Sequence, residues 1–255
     1  MKNIIIILLC TVAISLIFLG KVQYDNKIAQ AGKVSNQDQP SELVNNNLLD
    51  LTRNMSDELQ NSLKKKMDSE ETIKVLIVGS DAIMNSDSNN LPWPLQLKNA
   101  LEENYGIHTF NVEIMNFEKI TTNHLIEIKG HEKIAAVGPD ILIIEPLLLN
   151  DNAFVKMEDT LGNLEKIISL VKQINDEAYV IVQPPNPIYE PDTYLEQVSA
   201  LEEFAMQNKI KYFDHWETWP DTSSENIKSF LQGTFPNAKG QSIWAEFIIE
   251  YFIAD

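Results

Sequence analysis

Four short segments hold residue types that can do chemistry. Lys211–Asp221, "KYFDHWETWPD", gathers Asp214, His215, Trp216, Glu217, Trp219 and Asp221. An imidazole with a carboxylate to fix its tautomer can act as a general base near neutral pH. Neighbouring strand residues point to opposite faces, so Glu217 or Asp221 would orient His215 rather than Asp214. The plainer alternative is a hydrogen-bonded histidine that pins a strand end. Trp216 and Trp219 read either as a ligand platform or as core packing. In "VGSDA", Ser80 and Asp81 follow an apolar run; a serine hydroxyl is a nucleophile only when a base takes its proton. In "EPLLLNDN", Glu145 ends an apolar run, where a buried carboxylate acquires a perturbed pKa or serves a backbone N–H. Asn150 and Asp151 follow it. In "QGTFPNAKG", Gln232, Phe235, Pro236 and Asn237 precede an apolar helix.

The elements that must position these segments alternate. Ile73–Val78, His108–Met115, Asp140–Pro146, Ala178–Pro185 and Ile210–Trp216 are near-continuous apolar runs and predict strands. Trp93–Asn104, Thr122–Glu132, Thr160–Asn175, Tyr194–Asn208 and Lys239–Ile253 predict helices. Such a pattern means a parallel sheet covered on both faces, with its site at the carboxyl ends of the strands. The loops after Val78, Glu145, Val182 and Phe213 lie at such ends. Gln183–Tyr194, with four prolines, either walls a groove or only connects strand to helix.

Bulk properties exclude several classes. The chain has 255 residues and a net charge of −17, which argues against nucleic acid. One cysteine, Cys10, rules out an intrachain disulfide. His108, His124, His131 and His215 stand apart without metal-ligand spacing, so no metal is expected. There is no glycine-rich phosphate loop, and no cofactor is implied.

The region from about residue 73 to the end resembles the SGNH (GDSL-like) hydrolases. That resemblance implies an α/β, three-layer αβα, flavodoxin-like domain with a five-stranded parallel sheet. It also implies ester hydrolysis or acyl transfer by a serine, an Asp–His pair and an oxyanion hole. The Gly-Asp-Ser block appears here as Gly79-Ser80-Asp81, in swapped order. Asp81 stands where the nucleophile belongs and Ser80 one residue early. Asn150 and Asp151 match the Asn-Asp block, with Asn150 as the implied oxyanion donor. The Gly of the second block is missing near Lys119. The final Asp-x-x-His-Pro-Asn block reads Gln232, Phe235, Pro236, Asn237. Neither Gln nor Phe can take a proton. The expected catalytic set is therefore Ser80 as nucleophile, His215 as a displaced base and Asp81 as a neighbour shaping the turn. Asp151, Trp216, Trp219, Phe235 and Asn237 are the expected substrate contacts.

The N-terminal region adds attachments. Ile4–Leu19 is apolar and uncharged, flanked by Lys2 and Lys21, and reads as a signal anchor over residues 1–21, with secretion after cleavage as the alternative. Residues 22–40 read as a flexible linker. In 41–70, Val44, Leu48, Leu51, Met55, Leu59, Leu63 and Met67 recur at helical spacing, with Ser41 as N-cap. This amphipathic helix would pack on the domain beginning near residue 71 or pair with a second copy as a stalk. The expectation is a single-pass membrane protein with its C-terminal domain outside the cytoplasm. It acts on an ester of an envelope glycan or lipid, or, alternatively, binds an envelope glycan or protein partner without catalysis.

Overall fold

The computed structural model describes residues 50–85 and 90–254. The expected anchor, the linker and Ser41 lie outside the described residues. Five strands, β1 (Ile73–Gly79), β2 (Phe110–Asn116), β3 (Ile141–Ile144), β4 (Tyr179–Val182) and β5 (Lys211–Tyr212), form one parallel sheet in the order β2-β1-β3-β4-β5. The β-branched runs favour extended backbone, and burial on both faces suits unbroken apolar sequence. Val75 and Ile77 enter one core, with Trp93, Leu97, Trp244 and Ile248. Leu76 and Val78 enter the other, with Leu164, Ile167 and Leu201.

Helices α1 (Asp57–Asp68), α2 (Trp93–Tyr105) and α8 (Ala238–Phe252) cover the first face. Helices α3 (Thr122–Glu127), α4 (Gly130–Ala136), α5 (Leu148–Asp151), α6 (Met157–Ile174) and α7 (Thr193–Gln207) cover the second. A hairpin of β6 (Leu231–Gln232) and β7 (Phe235–Pro236) precedes α8. Sheet order reverses between β1 and β3, so the loops after these strands sit side by side at the carboxyl edge, while the turn after β5 lies beyond β4. Among the described residues, no helix is long and apolar enough to cross a membrane.

Three element boundaries depart from expectation. The helix expected over 41–70 is not continuous: α1 starts at Asp57, where the Ser56 side chain accepts the Leu59 N–H. Its apolar stripe, Met55, Leu59 and Leu63, is buried in the domain's own core. The helix expected over 122–132 breaks at Lys129, whose φ of 60° is left-handed. β5 stops at Tyr212 because Asp214, at ψ 68°, leaves the extended region and starts a 3-10 turn over His215–Thr218.

Candidate functional site

At the end of β1 the turn keeps strict register. Ser80 caps the 3-10 turn Asp81–Ile83, its hydroxyl accepting the Ala82 N–H at 3.3 Å, and only 2% of the residue is exposed. Its own N–H donates to Glu145 Oε2 at 2.8 Å. Ser80 therefore faces the interior. Asp81, half-buried, stands at the edge, where its Oδ1 accepts from the Asn116 amide at 3.1 Å. A carboxylate, not a hydroxyl, occupies the exposed position.

Glu145 is fully buried, and burial pushes its carboxyl up to about 7, against the Ser80 hydrogen bonds that favour the anion. Gly79 makes room for it: a Cβ there would meet Ile83 at 2.7 Å and Glu145 Oε2 at 3.0 Å.

His215 is fully buried and stacked on Trp244, centroids 4.3 Å apart and planes within 7°. Its Nδ1 accepts the Trp219 indole N–H at 3.1 Å; because indole only donates, Nε2 carries the ring proton and donates to the Pro184 carbonyl at 3.0 Å. Burial drives its pKa down to about 3. A base needs a free lone pair near the proton it takes and a pKa near the working pH. His215 has neither, so this geometry gives no support to the expected displaced base. Glu217 and Asp221 do not bond to it, and Asp221 instead accepts from Ser223. Trp219 is 6% exposed and serves His215. Trp216 donates to the Pro185 carbonyl at 2.7 Å and packs on Tyr194. Neither tryptophan forms an open platform.

Asn150 does not present its amide to the edge. Its Nδ2 donates to the Glu118 carbonyl at 2.8 Å and the Ile120 carbonyl at 2.9 Å. Asp151, expected as a substrate contact, is fully buried and accepts from Thr122 N, Thr122 Oγ1 and Thr160 Oγ1 at 2.8, 2.5 and 2.6 Å. The Asn-Asp pair staples the segment after β2 to α3 and α6.

The last block is likewise structural where it is kept. Asn237 caps α8, accepting from Lys239 N and Gly240 N, and donates to Ser229 O and Leu231 O. Gly240 lets α8 approach the Phe230 carbonyl, and a Cβ there would also meet the Trp219 ring at 2.8 Å. Gly240→Ala is expected to cost about 2–3 kcal/mol, since backbone and a buried indole must both move; a denaturant titration checks it. Phe235, half-buried, packs against the core beneath α2 and α8. It is held near the first turn by Asn85, whose amide donates to Pro236 O at 2.8 Å.

Sequence reasoning missed Gln241. Fully buried, it accepts from Trp93 N and donates to Ala82 O and Asn85 O, clamping the first turn to α2 and α8. A lone glutamine in an apolar helix was the available signal. Sequence reasoning also missed a cavity of about 330 Å³ beside the hairpin. It is lined by Ile188, Tyr189, Lys228, Leu231, Gly233 and Thr234. The Lys228 ammonium lies 3.8 Å from the centroid of the Tyr189 ring. Among the described residues no cluster of metal-ligating side chains occurs.

No protein-family model matches the sequence, and no curated protein matches it. Solved structures do. A protein described as a GDSL-like lipase from Parabacteroides merdae superposes with a TM-score of 0.59 at 13% identity, covering 71% of this chain and 95% of that one. A lipase/acylhydrolase from Enterococcus faecalis gives 0.56 at 16%, covering 70% and 94%. A catalytic mutant of an acetylxylan esterase from Geobacillus stearothermophilus gives 0.56 at 14%, covering 71% and 94%. With the strand order and the motif positions above, the chain has the SGNH/GDSL-like hydrolase fold.

Proposed function

We propose that this protein uses the SGNH/GDSL-like fold to bind an envelope glycan or protein partner without cleaving it. The observation that carries this reading is the state of His215: both ring nitrogens are committed, one to Trp219 and one to Pro184. The inward Ser80 and the committed Asn150 amide point the same way. Phe235 at the position of the usual base makes the edge more apolar. The neighbouring cavity, with Tyr189 and Leu231, offers the aromatic and aliphatic surface that a sugar ring or an apolar side chain packs on. Asp81 and Glu118 at the edge disfavour anionic polymers. Residues 4–19 would hold the protein at a membrane with this domain outside the cytoplasm.

The second reading is ester hydrolysis, favoured by the fold shared with lipases and an acetylxylan esterase. It requires Ser80 to turn outward and a base to reach it. A p-nitrophenyl acetate assay on the full chain separates the two. Turnover at the buffer rate, unchanged in Ser80→Ala, is the expected result. Turnover that Ser80→Ala abolishes would establish the second reading instead. Binding is measured by calorimetry with acetylated and unacetylated oligosaccharides, and Tyr189→Ala is expected to weaken it at least about tenfold.

A further inference from the structure

The sheet ends at β2, and among the described residues that end is bare. β2 pairs with β1 residue for residue from Phe110 to Asn116 and stands first in the strand order. Ile73 N–H donates to Thr109 O at 2.8 Å, and Phe117 N–H to Gly79 O at 2.9 Å. In a parallel ladder of this register, the N–H and C=O of Asn111, Glu113 and Met115 point at β1. Those of Phe110, Val112 and Ile114 point away from it. Among the described residues, no hydrogen bond within the chain reaches these outward groups.

Edge strands are commonly blunted by proline, lysine or a bulge. β2 has none of the three: its register is unbroken, and Glu113 is its single charged residue. Asn111 and Glu113 are exposed on one face, where the Asn111 amide donates to Glu113 Oε1 at 3.3 Å. On the other face Phe110 and Val112 belong to the core under α2 and α8, with Ile114 packed against it. A groove of about 550 Å³ opens beside the first half of the strand. It is lined by Phe110 and Val112, by Ile107, which is 72% exposed, and by Lys98 and Glu102 of α2. Apolar surface and unpaired backbone thus lie side by side.

We propose that a second copy of this chain pairs antiparallel with β2, so that two sheets join into one across a two-fold axis at Val112. The strand is complementary to itself in that register. Phe110 faces the partner's Ile114 and Val112 faces the partner's Val112, each pair exchanging both backbone bonds. Asn111 then stands opposite the partner's Glu113, so an amide donates to a carboxylate on each side of the axis. An axis at Glu113 sets the two carboxylates against each other. An axis at Asn111 places Ile114 opposite the partner's His108, whose φ of 85° lies outside the extended region. The axis keeps each face of the sheet on its own side, so Phe110, Val112 and Ile114 carry one apolar core across the junction. Lys98 and Glu102 bring one charge of each sign to the groove, so a like surface is not repelled there. The net charge of −17 on each copy opposes association at low salt, and screening relieves it. This pairing does not depend on what the carboxyl edge binds.

The test uses the full chain, in mild detergent because of the apolar residues 4–19, at physiological ionic strength. Sedimentation up to high micromolar concentration is expected to show a dimer. Val112→Pro deletes an outward N–H without touching the β1 ladder and is expected to leave monomer only. Should that variant not fold, exposed position 111 decides. Asn111→Glu sets carboxylates against each other on both sides of the axis, while Asn111→Lys pairs with them. The first is expected to dissociate at least about tenfold more readily than the second. Register is read by disulfide formation in a Cys10→Ser background. A mixture of Asn111→Cys and Glu113→Cys chains, given an added oxidant, is expected to cross-link more readily than either chain alone. A monomeric wild type, a dimer kept by folded Val112→Pro, equal dissociation of the two variants at 111, or cross-linking no better in the mixture each overturns the proposal.

Discussion

The triple variant Asp81→Ser, Gln232→Asp, Phe235→His is expected to hydrolyse p-nitrophenyl acetate at least about 10²-fold faster than the parent, the low end of what a positioned base supplies. Position 81 opens the 3-10 turn at the end of β1 and stands at the edge, so a serine there points outward where Ser80 does not. Position 235 is tied to the same turn through the Asn85 bond to Pro236. In the hairpin, Gln232 lies directly across from Phe235, so an aspartate at 232 stands beside an imidazole at 235 and can orient it. The gain stays well below that of a full acyl hydrolase, because the Asn150 amide remains bonded to two carbonyls and gives little to an oxyanion. Initial rates against the parent and each single variant decide the matter. A triple variant no faster than the parent would mean that the edge no longer holds a reactive geometry.

The second large effect concerns stability and pH. Glu145 titrates at about 7 in the folded chain and near 4.5 when unfolded. Below about pH 4.5 both states hold the proton. Between the two values the folded state keeps it while the unfolded state releases it, so stability from this group falls as pH rises and the loss is complete above 7. A shift of this size corresponds to about 3 kcal/mol. His215 acts in the opposite sense: its folded value near 3 lies below the ordinary 6.5, so its contribution grows as pH rises through that interval. The wild-type profile blends both, and the informative quantity is the difference between wild type and Glu145→Gln. Relative to wild type, Glu145→Gln is expected to gain about 3 kcal/mol on going from pH 4.5 to pH 8, measured by urea unfolding at each pH. A constant difference would show that the carboxyl is not perturbed.

The middle of the sheet was legible in the sequence because β1, β3 and β4 are buried almost throughout and are made mostly of Ile, Val and Leu, whereas β2 and β5 at its borders carry exposed polar residues. Boundaries failed where one residue overrides the pattern. Lys129 breaks a helix by a left-handed backbone, and Asp214 ends β5 early. The stripe from Val44 to Met67 was visible, but periodicity does not say that Ser56 restarts the helix or that Leu59 and Leu63 are buried in the adjoining core. The functional segments were found, yet most of their roles were not. Sequence shows that a motif residue is present; it does not show which atoms already have partners. Asn150, Asp151, Asn237 and Gly240 match the family pattern, and each has a structural task here that accounts for its presence. The altered positions, Asp81, Gln232 and Phe235, lie on the first turn and on the hairpin that the Asn85 amide ties to it.

Because α8 runs antiparallel to the strands, it ends at their amino pole, where Ala254 N–H donates to Leu51 O at 2.8 Å and Tyr251 meets Tyr179. The first and last described turns are thus stitched together on the side away from the Ser80–Asp81 turn. A change that loosens this seam is therefore expected to act on stability while leaving the Ser80–Asp81 turn at the other pole undisturbed.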